Sequence, residues 1–174
     1  TSLAYAINTG KQSFPFDDQN RFVYSLVLQQ KLTDRLKYVL VHNAGIENDT
    51  RPYGVDIPRT DAEWYGLNQY LLYTINPCWA ANLRVEWLRD DDGYRIGGPG
   101  FIPGVDAWDG GGYPGNFYEV TCGLNWRPNK NWLIRPEMRW DWYDGLTNPA
   151  GQLPFDDGAS DNQFTLAVDA VLTF

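Results

Sequence analysis

Residues 116–142, NFYEVTCGLNWRPNKNWLIRPEMRWDW, constrain the fold most strongly because apolar and polar side chains alternate on both sides of a turn. Side chains of a strand point alternately to opposite faces, so this pattern predicts a β-hairpin with one apolar and one charged face. The apolar positions are Tyr118, Val120, Cys122, Leu124, Trp126, Trp132, Ile134, Met138, Trp140 and Trp142. The charged positions of the second arm are Arg135, Glu137, Arg139 and Asp141.

The order of residues along the apolar face allows two interpretations. Aromatic residues stand at both ends of the face and aliphatic residues lie between them. This order is typical of a pair of strands that crosses a membrane, with aromatic residues at the two interfaces and water on the other side. A hairpin of a soluble sandwich, whose apolar face is core, would show the same alternation. The hairpin alone does not separate these alternatives.

The composition of the whole chain excludes several other classes. Its 174 residues suffice for one domain, and its formal charge of -8 disfavours nucleic acid as a partner. A helical membrane protein needs runs of about 18 or more apolar residues, and the sequence contains none. Two cysteines do not form a disulfide framework. We expect both to be free thiols, because pairing of the fifth and sixth strands would place Cys122 opposite residue 84 and far from Cys78.

The same alternation predicts eight strands along the chain. They cover residues 2–8, 21–32, 36–47, 64–75, 78–88, the two arms of 116–142 joined at 128–130, and 162–174. Long connections at 10–20, 48–63, 89–115 and 144–161 alternate strictly with short turns. A sandwich has no reason to place every long connection at one end, whereas an outer-membrane barrel has long external loops and short periplasmic turns. The sequence therefore predicts an all-β, antiparallel up-and-down transmembrane β-barrel.

Two segments resemble the putative beta-barrel porin-2 family of outer-membrane proteins. They are residues 64–95 and residues 124–145, with an Asn-Trp-Arg-Pro turn and an Arg-Pro-Glu-x-Arg-x-Asp strand. The resemblance implies a Gram-negative outer membrane and passive diffusion of small hydrophilic solutes or ions. Family members are longer and this chain begins within a strand, so we expect residues 1–174 to be the C-terminal part of a larger barrel. A closed eight-stranded anchoring barrel without a pore is the alternative.

Two sets of residues are assigned to the two faces of this expected barrel. The pore-lining set is Arg84, Glu86, Glu119, Arg135, Glu137, Arg139, Asp141 and Asp169. Facing rows of arginine and acid would filter solutes by charge, or they would only neutralise each other inside the wall. The membrane-girdle set is Trp79, Trp87, Trp126, Trp132, Trp140, Trp142, Phe164 and Phe174. The expected partners are outer-membrane lipid and small solutes or ions, with a homo-oligomer such as a trimer left open.

The long connections are acidic, with fifteen Asp or Glu against five Lys or Arg. This charge should attract cations over about a Debye length, ~8 Å at physiological salt. Asp90 and Asp92 could hold Ca²⁺ weakly through oxygen ligands, although a solvated acidic loop is the favoured interpretation and no cofactor is required. Four aromatic residues of the longest loop could stack on sugars or anchor a loop folded into the lumen. They are Tyr94, Phe101, Trp108 and Tyr113.

The sequence gives no support to an enzyme. His42 is the single histidine, and the short turn after the second strand predicts that it lies opposite Leu26. Ser25 then points to the other face, so no nucleophile is within reach of the imidazole. We therefore expect no catalytic residues, and an outer-membrane hydrolase is disfavoured.

Overall fold

Eight strands form one antiparallel sheet, in which each strand pairs with the next along the chain. The structure is a computed structural model that describes residues 1–11, 20–50, 60–96, 112–148 and 151–174. The strands are β1 (Ser2–Lys11), β2 (Asn20–Lys31), β3 (Leu36–Thr50), β4 (Thr60–Asn76), β5 (Trp79–Asp90), β6 (Gly115–Asn129), β7 (Trp132–Gly145) and β8 (Asn162–Leu172). Within these ranges, one 3-10 turn covers Asp156–Gly158. No helix in the described ranges is long and apolar enough to cross a membrane.

The predicted number and order of strands are confirmed, and long connections alternate with short ones. The short connections are residues 32–35, 77–78 and 130–131, and we call their side of the sheet the short-turn end. The opposite side is the long-loop end. There the strands run further than predicted: β3 reaches Thr50 and β4 starts at Thr60. Backbone pairing continues past the last apolar side chain because the hydrogen-bond ladder does not depend on side-chain polarity.

Each short connection is closed by a polar side chain that accepts backbone hydrogen bonds. Asn76 Oδ1 accepts the N–H groups of Cys78 and Trp79 at 2.9 and 3.0 Å. Asn129 Oδ1 does the same for Asn131 and Trp132 at 2.9 and 3.2 Å. The hydroxyl of Thr33 serves the first turn in the same way. Such local bonds favour tight turns. The third turn is therefore at residues 130–131, and the prediction of a turn at 128–130 was one residue too early.

The register separates the side chains into an apolar face and a polar face. Residues that pair across strands lie on the same face. One row of pairs on the apolar face crosses five strands through Leu71, Leu83, Cys122, Met138 and Leu166. A row on the polar face joins Glu86, Glu119, Asp141 and Gln163. The facing predicted from the alternation is therefore reproduced by the pairing of the strands.

Burial is inverted relative to a water-soluble protein. On the apolar face, Met138 is 51% exposed and Leu166 is 71% exposed. On the polar face, Glu119 is 3% exposed and Asp141 is 6% exposed. Only Ala62, Trp64, Tyr113 and Tyr143 are buried hydrophobic residues within the described ranges. The interior side of the sheet is thus the charged side, and the apolar side chains face outwards.

Two polar side chains that interrupt the apolar face have partners there. Gln69 fits the alternation badly, but its Oε1 accepts a hydrogen bond from the Tyr38 hydroxyl at 2.8 Å. His42 Nδ1 lies 3.1 Å from the Tyr24 hydroxyl. The register confirms that His42 lies opposite Leu26. Polar groups on this face are therefore satisfied by neighbouring strands.

The register between β5 and β6 differs by one residue from the prediction. Cys122 lies opposite Leu83, not opposite Arg84. A one-residue shift moves every side chain of a strand to the other face, so the predicted pairing conflicted with the predicted facing. The long connection between these strands gave no turn from which the register could be counted. Cys78 and Cys122 are free, as predicted.

The edges of the sheet are β1 and β8. Within the described part of the chain these two strands do not pair with each other, so the eight strands form an open sheet. Large apolar side chains of β1 are also strongly exposed; Leu3, Tyr5 and Ile7 are examples. Each edge therefore presents both an unpaired backbone and an apolar face.

The facing of adjacent residues on β6 can be tested by substitution. Leu124 lies on the apolar face and Asn125 on the polar face. Arginine at Leu124 should lower the free energy of unfolding from lipid by about 1–2 kcal/mol, because a lipid-facing charge costs ~2–4 kcal/mol near the midplane and less towards the interface, and Leu124 lies two residues from Trp126. Arginine at Asn125 should cost far less because the polar face is hydrated. Refolding of both variants into lipid vesicles measures the two costs, and equal values would contradict the assigned faces.

Candidate functional site

The centre of the polar face carries a row of acids beside a row of arginines. Glu86, Glu119 and Asp141 lie next to each other on β5, β6 and β7. Arg84 on β5 and Arg139 on β7 each lie two residues closer to the short-turn end than the acid of the same strand. Thr121 on β6 lies between these two arginines. The five charged residues are up to 57 positions apart in the sequence. Strand alternation and register bring them together on one face. We call them the charge lattice.

Glu119 is the centre of the charge lattice. Its Oε1 accepts a hydrogen bond from Arg84 Nε at 2.8 Å, and the Thr121 hydroxyl also donates to it. Its Oε2 lies 3.0 Å from Arg139 Nη1. Two guanidinium groups from the two neighbouring strands lie against this carboxylate, and the Glu119 side chain is only 4% exposed to solvent. The bond from Arg84 is a charge-assisted hydrogen bond, the strong kind in proteins, whereas the contact of Arg139 with Oε2 is an ion pair without hydrogen-bond geometry.

The lattice extends to the strands on either side. Arg139 Nε and Nη2 bind Asp141 Oδ1 at 2.9 and 2.6 Å. Gln163 Nε2 donates to Asp141 Oδ2 at 3.2 Å, which adds β8. Arg84 Nε lies 3.4 Å from Glu86 Oε1, and the Tyr70 hydroxyl donates to the same oxygen at 3.3 Å, which adds β4. One connected set of polar contacts therefore crosses five strands.

A second group of predicted pore-lining residues lies nearer the short-turn end. Arg135 Nε donates to Asp169 Oδ1 at 2.8 Å, and its Nη2 contacts the other carboxylate oxygen. Both side chains are about half exposed, so water screens this pair. Glu137 is exposed and makes no hydrogen bond or ion pair with another described residue. The eight predicted pore-lining residues therefore lie on one face of the sheet. Seven of them form hydrogen bonds or ion pairs with other described residues, and Glu137 does not.

At the long-loop end, the polar face is covered by the start of the β5–β6 connection. Trp64 lies flat against Gly45, where a Cβ atom would come within 2.2 Å of the indole ring. Tyr94 stacks on Trp64 with ring centroids 6.3 Å apart, and the Arg95 guanidinium lies 4.7 Å from the indole centroid. The Tyr94 hydroxyl donates to buried Glu47 at 2.9 Å. These contacts hold the first residues of the β5–β6 connection against the polar face of the sheet.

Asp90 holds the same segment through its backbone. Its carboxylate accepts the N–H groups of Tyr94, Arg95 and Ile96 at 3.0, 2.7 and 2.9 Å, and the residue is fully buried. Asp90 is therefore not the solvated acid that the sequence suggested, because its oxygens accept backbone donors; the weak Ca²⁺ site at Asp90 and Asp92 stays a prediction. Asp92 Oδ2 accepts the N–H of Glu63 at 2.9 Å. No group of three or more His, Cys, Asp or Glu side chains in the described ranges could hold a metal ion.

The end of the same connection is fixed to the inner wall as well. Tyr113 is fully buried, packs edge-on against Tyr143 at 5.8 Å, and donates its hydroxyl to the carbonyl of Leu153 at 2.9 Å. Burial raises the pKa of the Tyr113 hydroxyl. Tyr143 donates to the carbonyl of Pro114 at 2.8 Å. Tyr94 and Tyr113 thus anchor the two described ends of the connection to the polar face, one of the two roles considered for them; Phe101 and Trp108 lie outside the described residues.

Aromatic residues pair across strands on the apolar face. Near the short-turn end, Trp79 and Trp126 stack with centroids 5.4 Å apart. Near the long-loop end, Tyr118 and Trp142 stack at 5.2 Å, and Tyr65 meets Trp87 edge-on at 5.6 Å. The exposed aromatic residues of the predicted girdle set are Trp126, Trp132, Trp140, Phe164 and Phe174. The assignment of these side chains to membrane girdles stays a prediction.

Sequence reasoning missed the cover at the long-loop end. Trp64 was treated as the start of a strand, although its parity places it on the polar face, opposite Gly45. A tryptophan at a polar-face position opposite a glycine is a signal that could have indicated an inward-packed segment. Arg21 and Glu47, which pair across β2 and β3, also lie on the polar face, although the predicted pore-lining set does not include them.

Comparison with known proteins identifies one family. The model of the family described as putative beta-barrel porin-2, OmpL-like, matches residues 1–174. No curated protein and no solved structure matches the chain.

The central role of Glu119 predicts a large effect of a small change. Glu119→Gln should lower the free energy of unfolding by about 1.5–3 kcal/mol, because Arg84 and Arg139 lose a shared, charge-assisted acceptor. Arg135→Gln, which opens an exposed pair, is the matched control and should change stability little. Urea unfolding of the lipid-embedded protein compares the two. Equal effects would show that burial does not distinguish the lattice from the exposed pair.

Proposed function

The chain belongs to the putative beta-barrel porin-2, OmpL-like family, and from this premise we propose that it forms the wall of an outer-membrane channel for small hydrophilic solutes and ions. The observation that supports this most strongly is the inverted burial, with Leu166 exposed and Glu119 buried. Exposure of the many apolar side chains on this face is unfavourable in water, whereas their contact with lipid tails is favourable. A charged opposite face requires water or paired charges, both of which a channel supplies. Passage is by diffusion and involves no catalytic step.

We further propose that the channel has more than eight strands. Side chains fill the interior of an eight-stranded barrel, whereas barrels of about 16–18 strands enclose water. In hydrocarbon, the unpaired N–H and C=O groups along β1 and β8 need partners from other strands. Exposed Arg135, Glu137 and Asp169 also need room on the polar face. Closure of the eight strands on themselves, as an anchor without a pore, is the competing arrangement.

The proposed channel prefers small cations. On the wall, the charges of the lattice are paired, so their field is largely local. At the long-loop end, exposed acids outnumber exposed bases in the described ranges: the acids are Asp61, Glu63, Asp144, Asp156, Asp157 and Asp161, and the bases are Lys11 and Arg95. A negative mouth raises the local concentration of cations, and salt screens this effect because the charges are exposed.

Planar-bilayer recordings of the native polypeptide test both parts of the proposal. We expect open-channel conductance, with a reversal potential in a salt gradient that indicates cation preference and declines as ionic strength rises. Absence of conductance would contradict the channel and favour the closed anchor. Conductance with anion preference would instead indicate that Arg84, Arg135 and Arg139 govern the pore.

A double substitution tests whether the mouth sets this preference. Asp156→Asn with Asp157→Asn removes two exposed charges, and asparagine tolerates the positive φ of about 52° at both positions. The reversal potential should move towards zero selectivity at low salt, with conductance retained. Asp34→Asn, an exposed change at the short-turn end where the carboxylate pairs with Lys31, is the control and should shift it less. Asp90 is unsuitable for this test because its carboxylate holds backbone N–H groups.

A further inference from the structure

A groove of about 370 Å³ lies on the polar face, between the charge lattice and the short-turn end. Its floor is formed by Gly123 on β6 and Ala167 on β8. A Cβ atom on Gly123 would lie 2.7 Å from Asn82 Oδ1, so the absent side chain is what opens the groove. Glycine within a strand often marks a place where a ligand approaches the backbone. The polar walls include Tyr70, Asn82, Arg84, Asn125, Arg135 and Glu137.

The groups around the groove fall into two kinds. The arginines are already paired: Arg84 binds Glu119, and Arg135 binds Asp169. By contrast, the side chains of Asn82, Asn125 and Glu137 make no hydrogen bond or ion pair with any other residue that the structure describes. Two amides and one carboxylate, all at the rim of a depression, are therefore available to a solute. The amides donate and accept, and the carboxylate accepts.

We propose that this groove is a binding subsite for a neutral polyhydroxylated solute, a mono- or disaccharide, on its way through the channel. Each sugar hydroxyl is both donor and acceptor, which matches the free amides and the Glu137 carboxylate. A small anion would face the unpaired Glu137 beside it. A small cation would face two guanidinium groups. Tyr70 adds an aromatic ring at the lattice side of the groove. This inference rests on the proposed channel and names the solute class for it.

The test is the block of ion current by sugar in planar bilayers containing the native polypeptide. Maltose and sucrose are titrated separately, and a dextran too large to enter is used to match viscosity. We expect the sugars to reduce conductance in a saturable way, whereas the dextran leaves the current unchanged at equal viscosity. The sugar-free conductance is recorded first, so failure of the channel and failure of the subsite are distinguishable.

Two variants separate the groove from the rest of the wall. Gly123→Val fills the floor, and it should displace the flexible Asn82 amide rather than the backbone. Glu137→Gln leaves the shape and removes the free carboxylate. The half-blocking sugar concentration should rise about tenfold in Gly123→Val, which corresponds to about 1.4 kcal/mol. It should rise by a smaller factor in Glu137→Gln. Ala6→Val, on the same face of β1 but outside the groove, should leave it unchanged.

Three results would overturn the subsite. The first is an open channel whose conductance neither sugar reduces beyond the dextran control. The second is an equal rise of the half-blocking concentration in Gly123→Val and Ala6→Val, which would mean general narrowing of the pore. The third is stronger block by glycine, tested as a zwitterion over the same concentration range, which would make the solute class wrong.

Discussion

A strand that crosses a bilayer must find each of its backbone hydrogen bonds in a neighbouring strand, because hydrocarbon offers no donor or acceptor. Backbone pairing joins β1 to β8 into one sheet, and its register, which the short turns and the apolar pattern set, decides which side chains share a face. Leu71, Leu83 and Met138 come to lie in one row on the outside, while Glu119 and Asp141 lie on the inside. The inverted burial is therefore a consequence of backbone pairing combined with a period of two in the sequence.

Charges on the inner face have to be neutralised without apolar packing to surround them. Glu119 achieves this through two arginines on the neighbouring strands, and Asp141 shares one of them. The contacts of Glu119 run to β5 on one side and to β7 on the other, so a slip of β6 would break both, and the lattice also secures the register. The groove beside Gly123 is different, because its amides and Glu137 have no such partners among the residues that the structure describes. The polar face thus combines a band of paired charges with the proposed subsite.

The face on which each side chain lies could be predicted from the sequence, because the alternation of side chains along a strand does not depend on the rest of the fold. The pairing of His42 with Leu26 was predictable too, since a short turn at Thr33 links their strands. The pairing of Cys122 was missed because β5 and β6 are joined by a long connection. Asp90 was misread because its partners are backbone N–H groups, whose positions depend on how the loop folds. Contacts between the loops and the polar face of the sheet could therefore not be predicted from the sequence, and only the structure shows them.

The central claim is that one face of this sheet meets water and the other meets lipid, and β8 tests it most directly. Single cysteines would be placed from residue 163 to residue 170, after replacement of Cys78 and Cys122, and treated in proteoliposomes with a membrane-impermeant maleimide. Alternate labelling is predicted, with Gln163, Thr165, Ala167 and Asp169 reactive and the intervening apolar positions protected. Uniform reactivity, or reactivity of the apolar positions instead, would contradict it.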